Sequence, residues 1–429
     1  MMVGLLFQQL YNTVDSIIVG QFVNKQALAA VGSTSSIINT LVGFSAGLST
    51  GSSVIISQCY GARDRKGLHA AVHTTIMLTF ILSVVLTLLG VLLVEPLLKM
   101  QNTPDDVMPE ATTYLRIYFL GITGLLFYNT GASVLRAVGD SRRPLYFLIF
   151  SAVLNTVLDL LFVLAFGWGV AGVGYATLLA QLISAILVLV VLTLDKAPYG
   201  IRWKEMSMNL STLRRILGVG LPSGIQQALT SFSNIFVQSY VNHFGSACMA
   251  GWSSCNKLDA FLTIPMQSIA LASTTFVGQN YGAKQLKRAK EGVNKAIILS
   301  VSITLVLSSI IIIFARPLSS LISPDEDVLN YSELFVTLMA PFHFTLCFNQ
   351  TYAGALRGIG KAKAPMMIML FSFVLFRQIY LYIVKICGNS LNLIALGYPM
   401  GWVMCSLLLF IAYRHSELGR RENPEEAAA

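Results

Sequence analysis

Three carboxylates stand inside long apolar stretches of this 429-residue chain: Asp15, Asp159 and, nearer a polar segment, Asp259. On insertion scales a charge at the centre of a membrane-spanning helix costs about 2.5–3.5 kcal/mol, so an acid retained there faces a cavity, a partner or an ion path. Asp159 follows Asn155 by four positions and Asp15 follows Asn12 by three, so each acid shares a helix face with an amide one turn away. Burial disfavours the charged form of a carboxyl group, and a second acid nearby disfavours it further. Facing one another, Asp15 and Asp159 could therefore exchange protons near neutral pH. Their oxygens, with those of Asn and Thr, suit a hard monovalent cation equally well, so proton and sodium both stay open on these residues. The rival reading, in which each Asp only caps or bridges helices, ranks behind because intramembrane acids are rare.

Other polar residues are less pointed. Lys257, two residues before Asp259, predicts local charge balance for that acid. Arg377, followed by Tyr380 and Tyr382, reads as an interhelical clamp, since a buried guanidinium pairs with an acid or with carbonyls. Gln8, Gln9, Gln226, Gln227, Asn234 and Gln238 make two segments unusually polar, which fits either cavity lining or packing hydrogen bonds. The candidate cavity set is thus Gln9, Asn12, Gln227, Asn234, Gln238, Lys257, Asp259 and Arg377. Six cysteines are scattered without CxxC spacing, and His69, His73, His243, His343 and His415 lack ligand spacing, so neither a disulfide framework nor a transition-metal site is indicated. Gly61-Ala-Arg63 and its twin Gly282-Ala-Lys284 lack the phosphate-cradling glycine pattern, so neither a bound nucleotide nor a built-in ATPase is expected. No nucleophile and base arrangement supports an enzyme.

The elements that must hold these residues are membrane helices. The chain is 55% hydrophobic and 11% charged with a net charge of +9, whereas a soluble domain carries about 25% charged residues. Apolar runs lie near 1–22, 27–57, 71–98, 111–135, 145–166 and 169–193, then near 216–241, 247–277, 294–315, 331–356, 365–386 and 393–413. With roughly 20 apolar residues per span, the length accommodates about twelve and no sizeable soluble domain. Of the 29 Lys and Arg, 22 fall in alternate loops and the C-terminal tail, which places both termini in the cytoplasm by the positive-inside rule. This placement, without aromatic interleaving, also argues against a nucleic-acid partner.

An internal repeat orders the spans. Gln58-Cys-Tyr-Gly-Ala-Arg63 matches Gln279-Asn-Tyr-Gly-Ala-Lys284 at an offset of 221, and Leu135-Arg-Ala-Val-Gly139 with Pro144 matches Leu356-Arg-Gly-Ile-Gly360 with Pro365 at the same offset. An even number of spans per copy makes the repeats parallel. The expected organisation is an N-terminal six-helix lobe over 1–193, a cytoplasmic linker over 194–215, a second lobe over 216–413 and a cytoplasmic tail over 414–429. Leu213–Pro222 has almost no counterpart before Gln9, so the first span is expected to lack about half a helix at its start. Gly43, Gly47 and Gly51, four apart, predict a close helix approach along the second span.

Taken together, Gln9-Leu-Tyr-Asn-Thr-Val-Asp15, the paired Gln-x-Tyr-Gly-Ala-Arg/Lys loops, Leu135-Arg-Ala-Val-Gly-Asp140 and Asn155-Thr-Val-Leu-Asp159 resemble multidrug and toxic compound extrusion (MATE) transporters over essentially the whole chain. The resemblance implies an all-α, V-shaped pair of six-helix lobes. It implies a monomeric antiporter of the prokaryotic plasma membrane that exports small organic cations in exchange for H⁺ or Na⁺, with no cofactor beyond that ion and no ATPase subunit. In the prokaryotic branch it most resembles, the cation site lies in the N-terminal lobe and maps onto Asp15, Asn155, Asp159 and, in Gly172-Val-Gly-Tyr-Ala-Thr177, Thr177. A lipid-linked oligosaccharide flippase of similar two-lobe architecture is the alternative. Such a protein tends to a more cationic cavity, for which only Arg377 and Lys257 are at hand.

Overall fold

A computed structural model of the chain describes residues 2–4, 6–7, 18–19, 22–23, 25–101 and 103–420, and these are helical with short connections. The long elements are α1 (Lys25–Gly61), α2 (Arg65–Met100), α3 (Met108–Ala137), α4 (Arg142–Leu160) and α5 (Gly169–Leu194). They continue as α6 (Leu210–Asn242), α7 (Ser246–Gly282), α8 (Leu286–Ile313), the short α9 (Ala315–Ser320), α10 (Glu326–Met339) and α11 (His343–Gly358). The chain closes with α12 (Lys363–Leu370), α13 (Arg377–Ile386) and α14 (Leu391–Arg414). With the segment before Lys25, the count is consistent with twelve spans. Among the described residues nine helices are long and apolar enough to cross a membrane. The span expected at 331–356 is two helices, α10 and α11, joined by a 3-10 turn at Ala340–Phe342, because Pro341 has no N–H to continue the helical ladder. The helix expected from 294 begins at Leu286, carried through Lys287, Arg288 and Lys290, which are good helix formers though not apolar.

The repeated motifs are helix ends. After α1 the Ala62 N–H donates to the Gln58 carbonyl (2.9 Å) and the Asp64 N–H to the Cys59 carbonyl (3.1 Å), with Arg63 left-handed at φ 56°. After α7 the Ala283 N–H donates to Gln279 (3.0 Å) and the Gln285 N–H to Asn280 (2.8 Å), with Lys284 at φ 59°. Gly139 (φ 98°) and Gly360 (φ 86°) end α3 and α11 in the same way, the Asp140 N–H reaching Leu135 and the Lys361 N–H reaching Leu356 at 2.9 Å each. Each arrangement gives otherwise orphaned carbonyls a donor through one left-handed residue, a conformation glycine adopts without strain.

The chain divides into two compact units, Met1–Gly224 and Ile225–Ala429. In the first, α3 is the central helix, packed against α1, α2 and α5. Glycines let α5 approach: a Cβ added at Gly124 would stand 2.7 Å from the Leu182 backbone nitrogen, and one at Gly131 would stand 2.7 Å from Val188. On α1 a Cβ at Gly47 would fall 2.2 Å from the Gly224 nitrogen and one at Gly51 2.5 Å from Gly220, so these two glycines serve the close approach expected of them. In the second unit, α7, α8, α10, α11 and α14 pack around a core that includes Trp252, Phe335, Cys347 and Trp402.

The connector between α5 and α6 is docked on the first unit. Ile201 is buried, the Arg202 N–H donates to His73 Nε2 (3.0 Å), Trp203 Nε1 donates to Thr193 (3.0 Å), and the Asn209 N–H donates to Thr74 (3.1 Å). Asp195 anchors its start, accepting from the Ala197 N–H (3.0 Å), the Tyr199 hydroxyl (2.8 Å) and Arg143 (3.1 Å). These bonds, the Ala197 N–H foremost, hold the Asp195 carboxyl below the usual carboxylate range.

Two outcomes follow for the fold. Gly124→Ala forces a carbon against backbone that cannot rotate away, so its cost is roughly 1–3 kcal/mol and its midpoint in detergent should fall by several degrees. Gly218→Ala, with nothing within 4 Å, should leave the midpoint unchanged or raise it. Because the folded Asp195 pKa is depressed, its anchoring is present above the ordinary carboxylate value and is lost as pH falls through the folded one. Asp195→Asn weakens that anchor at neutral pH by about 1 kcal/mol. Limited proteolysis at pH 7 should then cut its connector roughly fivefold faster than wild type.

Candidate functional site

Asn155 and Asp159, one turn apart on α4, have no exposed surface, and Thr177 on α5 is buried beside them. The Asn155 side-chain amide donates to the Thr177 hydroxyl at 3.5 Å. Three of the four residues expected to hold a coupling ion are therefore gathered inside one unit. The fourth, Asp15, lies outside the described residues, as do Asn12, Gln8 and Gln9. Ile18 and Val19, which follow Asp15 by three and four positions, are buried in one apolar cluster with Tyr114, Val163, Val170 and Val173. Val163 is itself one turn beyond Asp159. Between them α4 passes into a π turn, Leu161–Ala165, a widening of the backbone that often marks functional positions.

The site extends further along α4 than sequence reasoning proposed. Ser151, Asn155 and Asp159 recur every four residues and so share one face, while Gln181 follows Thr177 by one turn on α5. Ser151, Gln181, Asn129 and Ser184 line a cleft of about 60 Å³ with Tyr128 and Leu148. Ser151 donates to the Ala180 carbonyl (3.1 Å). A row of side-chain oxygens and amides thus runs from the cleft to the enclosed carboxyl group. The i, i+4 spacing of Ser151 was a signal in the sequence, but serines satisfied by their own helix are too common for it to stand out. Among the described residues no three His, Cys, Asp or Glu converge as a metal site. A buried carboxyl group with an amide and a hydroxyl nearby can take up a single proton or a weakly bound monovalent cation.

In the second unit Arg377 is buried, and its Nη2 donates to Ser233 and Asn234 at 2.9 Å each. Its guanidinium lies 4.6 Å from the Tyr398 ring, and Gln378 reaches Ser233 as well, so this cluster clamps α6, α13 and α14. Gln227 and Lys257 are exposed, and Gln238 donates to Asn242 (2.8 Å). The expectation that Lys257 balances Asp259 is corrected: Asp259 pairs with His343 of α11, a histidine that looked isolated in the sequence. Residues 84 positions apart meet there because α7 and α11 pack side by side, which spacing cannot reveal.

A protein-family model, MatE, matches residues 1–161 and again 222–383, one copy in each half of the chain. The chain belongs to the MATE family. It is 30% identical over 419 residues to the probable multidrug resistance protein YpnP of Bacillus subtilis, covering 96% of this chain and 92% of that one. It superimposes with a TM-score of 0.91 and 25% identity on an outward-facing multidrug resistance MATE family transporter, covering 98% of this chain and 95% of the other. It is equally similar, with a TM-score of 0.92 and 26% identity over 98% and 95% of the two chains, to a MOP superfamily transporter from Pyrococcus furiosus described as having a binding pocket of reversed polarity. MATE proteins are membrane transporters rather than enzymes, and this chain, with its apolar spanning helices, is an integral membrane protein of that family.

The cleft supplies a check on this MATE site. With Cys387, the exposed native cysteine, replaced by serine, Ser151→Cys at the cleft should react with a small methanethiosulfonate roughly tenfold faster than Thr177→Cys, which is buried beside Asn155. Equal rates would mean that the row does not open at the cleft.

Proposed function

We propose that this chain is a secondary antiporter that exports small organic cations in exchange for H⁺ or Na⁺ by alternating access, and that Asp159, with Asn155, Thr177 and Asp15, binds the coupling ion. The observation that carries the proposal is the complete enclosure of Asp159 one turn from Asn155, whose amide reaches Thr177. A carboxyl group so enclosed is costly to keep charged, so binding a proton or a cation there stabilises it. Ile18 and Val19, in one apolar cluster with Val163, give a change at Asp159 a route to the packing of the first span. An ion biases alternating access only through different affinity for the two states, so the acid must change surroundings between them.

The substrate class is supported by the multidrug resistance names of the relatives, and the reading takes export as ion-driven, without an ATPase subunit. The asymmetry of Lys and Arg supports a prokaryotic plasma membrane orientation with both termini cytoplasmic, and the reading takes the working unit as a monomer. The flippase alternative draws on Arg377 and Lys257. Arg377 is spent within its own unit on Ser233, Asn234 and Tyr398, so that reading gains no support.

In bacteria stripped of their own efflux pumps, Asp159→Asn and Asp15→Asn should each reach the membrane at wild-type level. Each should abolish the loss of preloaded ethidium seen with wild type, a drop of about tenfold or more. Wild-type efflux from either well-expressed variant would sink the assignment.

A further inference from the structure

The second unit contains a proton site that the antiport reading does not use. His343 is buried at 2% exposure on α11, and its Nδ1 lies 3.1 Å from the Met339 carbonyl, which can only accept; Nδ1 therefore carries a hydrogen. Its Nε2 is in hydrogen-bond contact with Oδ1 of Asp259 on α7. A neutral imidazole whose hydrogen is on Nδ1 offers only a lone pair at Nε2, and a carboxylate also offers only lone pairs. The contact thus requires one further proton, on Nε2 or on Oδ1.

We propose that Asp259 and His343 form a proton-binding site in the second unit, separate from Asp159, in which one shared proton ties α7 to α11 and its release to solvent unties them. Release leaves neutral His343 facing the Asp259 carboxylate lone pair to lone pair, an arrangement that repels. Asp259, with 23% of its side chain exposed, is the exit. The Trp402 ring stands 4.8 Å from the imidazole and encloses it.

The surrounding charges leave the proton to this pair. Cys255 on α7 and Tyr398 on α14 are the electrostatic neighbours of Asp259, with Arg377 of α13 over the Tyr398 ring. Lys257 is exposed two residues away. The charges of α8 (Lys287, Arg288, Lys290, Glu291 and Lys295) and of α12 (Lys363) lie in the first turns of those helices. On α10 Glu326 and Glu333 are held by Arg316, with Asp327 in the first turn, and Arg357 and Arg414 lie in the last turns of α11 and α14. The link is present when the proton is bound and is lost as pH rises.

The test is tryptophan emission of the purified, detergent-solubilised full chain titrated with acid and base, since an adjacent imidazolium quenches an indole and its loss changes that emission. Wild type should show a reversible step that disappears in Asp259→Asn, whose amide can donate to Nε2 without a titrating proton, and in His343→Gln. Should neither variant elute folded, Trp402→Phe leaves the pair intact and must itself remove the step. A wild type without a step, or a step that survives in any folded variant, overturns the site. Nothing in this readout depends on transport, so it stands or falls apart from the antiport reading.

Discussion

A carboxyl group with no exposed surface inside a bundle of apolar helices is the constraint around which the first unit is arranged. Asp159 can be kept there only with polar partners, and the helices packed next to α4 have to help carry them. The glycines of α3 make this possible. They let the α5 backbone lie almost in contact with α3, and the same helix then presents Thr177 toward Asn155 and Gln181 toward the cleft. A larger side chain at Gly124 or Gly131 would act on Asn155 and Thr177 without touching them, through the position of α5.

The two copies of the repeat share a frame and differ in their interiors. Their helix ends follow one geometry, with Arg63 and Lys284 or Gly139 and Gly360 in the left-handed region, because a capped helix terminus is demanded by backbone hydrogen bonding wherever the chain turns. Interior positions carry no such demand. At the offset of 221, Asn155 corresponds to Phe376 and Asp159 to Tyr380, so the second copy lacks the acid and amide pair at these positions. It holds instead Arg377 beside its own π turn, Phe371–Phe376, and the Asp259 and His343 pair. The two copies thus share a scaffold and differ in their polar centres: an acid and amide pair in one, a guanidinium clamp and a carboxylate–imidazole pair in the other.

Much of this was legible in the residues, and what was not shares a physical cause. The apolar runs and the repeat were plain, since span length and cap chemistry are local properties. Asn155 and Asp159 could be placed on one face by counting, and Thr177 came with the family resemblance. The break at Pro341 was visible as a residue, yet the hydropathy run continues through it, so only the backbone shows two helices. The π turns have no signature in composition. The partner of Asp259 was misjudged because Lys257 is near in sequence while His343 is near in space, and only the packing of α7 on α11 decides between them.

The account rests on ion-coupled export, and the most direct measurement uses the wild-type chain in proteoliposomes of known orientation. Movement of a fluorescent cation such as ethidium is followed under an imposed proton gradient and, separately, under an imposed sodium gradient. The account predicts uphill movement of the dye under one of the two gradients and its collapse when that gradient is dissipated. Dye movement under neither gradient, from folded protein, would contradict it.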